Sequence, residues 1–142
     1  MNLNPAMAQT KAAWRAGLAE VFDRSQFILG PEGDGFEREF STSLGAGHCV
    51  TVSSGTSAIE LCLRDAGVQG EVLTTALTAP FTAVGILASG CAVRFADVHP
   101  ETLQMDSQDA ATRVSRHTRA LVPVHLYGQL SPLAALKKLC AT

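Results

Sequence analysis

Apolar residues fall into two kinds of run along this chain. Over residues 6–22, Met7, Trp14, Leu18, Val21 and Phe22 recur at helical spacing while Lys11, Arg15 and Glu20 fall away from that face. The pattern predicts an amphipathic helix, Ala6–Phe22, that docks through its apolar stripe with Trp14 as anchor. Phe36–Leu44 carries a second helical pattern, with Phe36 and Phe40 four residues apart and Glu37, Arg38 and Glu39 between them. Further on the runs shorten and alternate. His48–Val52, Glu71–Ala76, Ala92–Val98 and Arg119–Leu126 read as strands; Ala58–Ala66, Phe81–Ser89, Asp109–Ser115 and a run starting near Ser131 read as helices. Apolar strands alternating with helices across short polar turns predict an α/β fold, a mainly parallel sheet covered by helices. Residues 1–45 then form an N-terminal helical segment with a lead-in loop, and residues 46–142 an α/β part. Ala58–Ala66 is apolar nearly all round, with Glu60 and Arg64 as its wet stripe, so burial on most sides is expected. Pro123 conflicts with the strand around it, because it has no N–H to give a ladder.

Two turns carry candidate chemistry. Ser25–Gly35 holds Gly30-Pro31, Gly33 and Gly35, which predict a loop. Its order G-x-x-G-x-G lacks both the preceding strand and the G-x-G-x-x-G spacing of a dinucleotide site. The second turn is Ser53-Ser54-Gly55-Thr56-Ser57, followed by the helical run that Gly67 is placed to cap. Glycine and hydroxyl side chains at a helix start leave backbone N–H groups unpaired, face the positive end of the helix dipole and add O–H donors, a combination that holds a phosphate. The alternative is that Ser54 or Thr56 simply caps the helix; spacing does not choose between the two.

Composition narrows the classes. With 142 residues the chain can bury a single core, and a net charge of −2 gives no reason to expect nucleic acid or an anionic membrane as partner. No run approaches the roughly 20 apolar residues of a membrane span, and the polar N-terminus does not read as a signal peptide, so a cytoplasmic protein is expected. Cys49, Cys62, Cys91 and Cys140 form no C-x-x-C pair and sit among apolar neighbours, so they are expected as small core side chains rather than a zinc site or disulfides. His48, His99 and His117 have no partners at metal-ligand spacing. Arg113, Arg116 and Arg119 read as a solvated face.

In a parallel sheet the ligand lies beyond the carboxyl ends of the strands. Those ends supply Ser53–Ser57, Thr75–Phe81, Asp97–Pro100 and His125–Gln129. One common cleft is expected there, with phosphate donors, an aromatic ring, an acid and an imidazole but no complete catalytic set. Asp97 either contacts a substrate or caps the loop before Pro100. His125 and Tyr127 belong near the cleft.

The segments SSGTSAIELCLRDAGV, TTALTAPFTAVGILASGCAVRFADVHPETLQMD and TRALVPVHLYGQ resemble the DegT-type family of sugar-nucleotide aminotransferases, which use pyridoxal phosphate (PLP). FILGPEGDGFEREF is similar to that family's opening segment, with Gly33 where an apolar residue is more usual. The resemblance covers nearly the whole chain in order. It implies the N-terminal part of the large domain of a type I PLP-dependent transferase, working as a homodimer. It also implies that Gly55, Thr56 and Ser57 bind the cofactor phosphate. An aromatic ring often stacks on the pyridine in this family; an ungapped match puts Ala79 at that position and Phe81 two residues later, so Phe81 either takes over the stacking or is a plain core residue. The implied reaction moves an amino group from an amino acid such as glutamate to a keto group of a nucleotide-linked sugar. The family's pyridine-binding aspartate and Schiff-base lysine have no counterpart here. Lys11, Lys137 and Lys138 do not match that lysine's context, so no catalytic residue is assigned and the chain alone is expected to be inactive. Two other readings stand beside this one: a non-catalytic domain that binds a phosphate ligand or pairs with a partner, and a fragment of a related PLP-dependent sugar dehydratase.

Overall fold

The computed structural model describes residues 4–140, with side chains described from residue 10 onward. Met7, assigned above to the first helix's apolar stripe, has a side chain outside the described residues. The chain divides into two compact units, Met1–Thr51 and Val52–Thr142.

The first unit holds α1 (Asn4–Arg24) and α2 (Pro31–Leu44). Only Ser25–Gly30 is loop; the expected loop over Ser25–Gly35 is cut short because Pro31 stands at the start of α2, with Glu32 and Asp34 in its first turn. A proline with preset φ and two carboxylates facing the helix dipole outweigh the cost of Gly33 and Gly35 inside the helix. At the other end Gly45 turns left-handed (φ 64°), and Ala46 N–H returns to Ser41 O at 2.9 Å. Glu37 Oε1 accepts both the backbone N–H and the hydroxyl of Thr51, each at 2.7 Å. Trp14 is not an anchor: it is 61 % exposed, and Leu18 and Phe22 on the same stripe are exposed too. Helical spacing creates an apolar stripe but does not supply a surface to cover it.

In the second unit α3 (Gly55–Asp65), β1 (Glu71–Thr75), α4 (Phe81–Ala88), β2 (Ala92–Ala96), α5 (Ser107–Arg113), β3 (Thr118–Val122) and α6 (Leu133–Leu139) alternate as expected. The sheet runs β2-β1-β3 with both pairings parallel. Central β1 is buried from Val72 to Thr75, as a strand covered on both faces requires. Its alternating side chains serve two cores. Val72 packs with Leu63, Ile86 and Cys91 under α3 and α4, while Leu73 packs with Ala96, Met105, Ala110 and Leu136 under α5 and α6.

Helices α3 and α4 run side by side in the same direction. A Cβ on Gly85 would meet the Thr56 carbonyl and Ile59, and one helical stretch further along both helices Arg64 Nη2 donates to Ala88 O at 2.8 Å. Gly67 (φ 63°) closes α3, with Val68 N–H returning to Leu63 O at 3.0 Å.

Four expectations need correction here. His48–Val52 is not a strand, because among the described residues no strand lies beside it to complete a ladder. β3 ends at Val122, so Pro123 is the first residue past the ladder and its conflict disappears. α3 is not buried on most sides: Leu63 is its one buried residue and Leu61 is 49 % exposed, because its packing is confined to α4 and the sheet. Of the cysteines only Cys91 is buried; Cys62 and Cys140 are exposed, and all four are free thiols.

Candidate functional site

The small-residue turn is the first turn of α3 itself, since the helix starts at Gly55 and not at Ala58. Ser54 is the N-cap, with extended backbone (φ −161°, ψ 160°), and its Oγ accepts the Ser57 N–H at 3.2 Å. Its carbonyl accepts the Ala58 N–H at 3.0 Å. The two N–H groups between, those of Gly55 and Thr56, have no acceptor among the described residues. Nothing lies within 4 Å of where a Gly55 Cβ would be, so the space on that side of Gly55 is open. The hydroxyls of Ser53 and Ser54 lie 3.3 and 3.1 Å from Ser57 Oγ, forming a small polar rim. Ser54 therefore does cap the helix, as one of the two readings held, but it uses only one of the turn's amides.

The turn lies at the carboxyl edge of the sheet. Helix α4 begins just beyond the carboxyl end of β1, and α3 runs parallel to α4 with Thr56 beside Gly85, so both helices start at that edge. Phe81 opens α4 there, 63 % exposed and outside both core clusters. Thr78, in the connection before α4, and Thr82, in the first turn of α4, pair hydroxyls at 3.1 Å.

Asp97, past β2, is engaged locally. Its Oδ1 accepts the Val98 N–H at 2.8 Å, and its own N–H donates to Asp109 Oδ2 at 2.7 Å. That backbone donor, with help from the Arg113 guanidinium, holds the Asp109 carboxyl below the usual aspartate range. Past β3, His125 Nδ1 accepts the Ser131 N–H at 3.0 Å, and Tyr127 sits in a left-handed backbone conformation (φ 57°), 85 % exposed. Lys11, Lys137 and Lys138 are all exposed. Sequence reasoning missed Gln104 and Ser131, buried polar residues that brace this loop. The one signal for Gln104 was a polar residue between Leu103 and Met105.

The fold is that of the PLP-dependent aminotransferases. A crystal structure of Streptomyces venezuelae DesV in complex with a ketimine intermediate superposes with a TM-score of 0.90 at 32 % identity, over 99 % of this chain and 38 % of that one. NtdA from Bacillus subtilis, with bound cofactor PMP, gives a TM-score of 0.82 at 31 % identity over 87 % of this chain and 29 % of its own. The chain belongs to the DegT/DnrJ/EryC1/StrS aminotransferase family, whose family model matches residues 9–142. Among curated proteins it is 39 % identical over 122 residues to the dTDP-3-amino-3,4,6-trideoxy-alpha-D-glucose transaminase of Micromonospora megalomicea subsp. nigra, across 84 % of this chain and 33 % of that protein. The chain thus spans about a third of the length of the curated relatives it matches.

The family's cofactor is PLP. The residues present fit its phosphate end: two unspent N–H donors, a positive helix end and open space above Gly55 suit a dianion. No helix among the described residues is long and apolar enough to cross a membrane.

Proposed function

We propose that this chain supplies the phosphate-gripping part of a PLP-dependent aminotransferase acting on a nucleotide-linked ketosugar. The observation that carries the reading is the pair of unpartnered amides on Gly55 and Thr56 at the start of α3. In this reading Gly55, Thr56 and Ser57 hold the cofactor phosphate, the first two through N–H groups and the last two also through hydroxyls. The exposed Phe81 ring lies against the pyridine, in place of the aromatic residue absent at Ala79. Bound PLP supplies an electron sink; these residues fix where it sits. Residues 46–142 form the cofactor-holding part and residues 1–45 the helical lead-in. The amino donor is an amino acid, glutamate by family habit, and the protein works as a cytoplasmic homodimer. Support comes from relatives that are sugar aminotransferases and from the agreement of the family's phosphate turn with the free amides.

Competition binding of PLP and pyridoxal, which differ by the phosphate, tests the reading. Charge-assisted hydrogen bonds contribute about 1.5–3 kcal/mol each, so PLP should bind more than about tenfold tighter than pyridoxal. Equal affinities would sink it.

A further inference from the structure

Gln104 and Ser131 are both almost completely buried, at 2 % and 4 % exposure, yet neither belongs to an ion pair or a regular element. Their side-chain hydrogen bonds tie the connection between β2 and α5 to the loop after β3. Gln104 Nε2 donates to Leu126 O at 3.1 Å and Thr102 O at 3.4 Å, two carbonyls that can only accept. This fixes the amide orientation, so Oε1 must face Ser131 Oγ at 3.0 Å. Ser131 has a single hydroxyl proton and divides it between Gln104 Oε1 and Val124 O, the latter at 2.8 Å. The backbone N–H of the same serine donates to His125 Nδ1. A backbone N–H cannot accept, so Nδ1 is the acceptor and the neutral ring carries its proton on Nε2. Nε2 has no protein partner among the described residues, and the His125 side chain is exposed.

We infer that Gln104 is a positioning residue: through Ser131 it sets the His125 imidazole in one tautomer, leaving Nε2–H as an unspent donor beyond the carboxyl end of β3. Such a donor suits an anionic or carbonyl oxygen of a ligand held at that edge. Its place at the site rests on the proposed function; the tautomer does not.

Nitrogen-15 spectra of the labelled chain in mildly alkaline buffer test the inference, with His125→Gln assigning the ring signals. The expected result is a pyridine-type Nδ1, a pyrrole-type Nε2, and a scalar coupling between Ser131 N and His125 Nδ1 across the hydrogen bond. Gln104→Met should abolish the coupling and speed exchange of the Ser131 amide at least tenfold. Should that variant fail to fold, Ser131→Ala, which keeps the backbone donor but loses the hydroxyl brace, should do the same. A wild type without the coupling, or folded variants that keep it with unchanged exchange, would overturn the inference. Added PLP should move the His125 Nε2–H signal. A response at Gly55 and Thr56 without one at His125 would refute the donor assignment, whereas silence at Gly55 and Thr56 would count against the proposed function instead.

Discussion

A Cβ placed on Gly85 would lie 2.7 Å from the carbonyl oxygen of Thr56, so the absence of a side chain on α4 lets α3 come close enough to start at the sheet's carboxyl edge. The clash would be with backbone and could not be relieved by a rotamer change. Gly85→Ala forces the helices apart, at an overpacking cost of about 1–3 kcal/mol against a gain of about 1 kcal/mol in helix preference. We expect a net loss of about 1 kcal/mol in urea unfolding, together with weaker PLP retention because Thr56 is displaced. A variant as stable as wild type, with unchanged retention, would show that the close approach is not required.

Two neighbouring threonines on β1 should respond in opposite senses. Thr74 Oγ1 donates to Val122 O at 2.8 Å, whereas Thr75 Oγ1 is buried with no partner among the described residues. Thr74→Val removes a satisfied bond and should cost about 1 kcal/mol; Thr75→Val removes an unsatisfied hydroxyl and should be neutral or stabilising by up to about 1 kcal/mol. Denaturant midpoints at equal m-values measure both. A destabilised Thr75→Val would mean that its hydroxyl has a partner, such as an internal water.

Acid should weaken the fold through Asp109 and Glu37. The Asp97 N–H, then Arg113, hold Asp109 low; the Thr51 N–H, then the Thr51 hydroxyl, hold Glu37 low. A carboxylate with a depressed folded value adds stability that is fully present above the unfolded value, about 3.9 for Asp and 4.3 for Glu, and is lost as pH falls through the folded value. Stability should therefore be level from about pH 7 to 5 and fall below about 4. Asp109→Asn should be less stable than wild type at neutral pH, with the gap closing as the pH drops below that range. A gap that widens in acid would contradict the assignment.

The alternation of strands and helices after residue 70 was legible because each apolar run is short and bounded by Gly or polar residues. The small-residue turn was legible as a helix start because serine caps and glycine with hydroxyl side chains favour that position, whereas spacing did not choose between capping and phosphate binding. What failed were features decided by partners that the local pattern cannot contain. The run His48–Val52 finds no neighbouring strand among the described residues, and Trp14, Leu18 and Phe22 on the helical stripe stay exposed. Pro31 as a helix-opening residue was hidden by the glycines around it. The Gln104–Ser131 brace spans 27 residues and has no periodic signature at all.

The most direct measurement is a titration of the labelled chain with PLP, and separately with inorganic phosphate, followed by backbone amide spectra. Saturable shifts should be largest at Gly55 and Thr56, smaller at Ser57 whose N–H is already given to Ser54, and present with both ligands. Amides of Gly55 and Thr56 that stay still while PLP binds elsewhere would contradict the account.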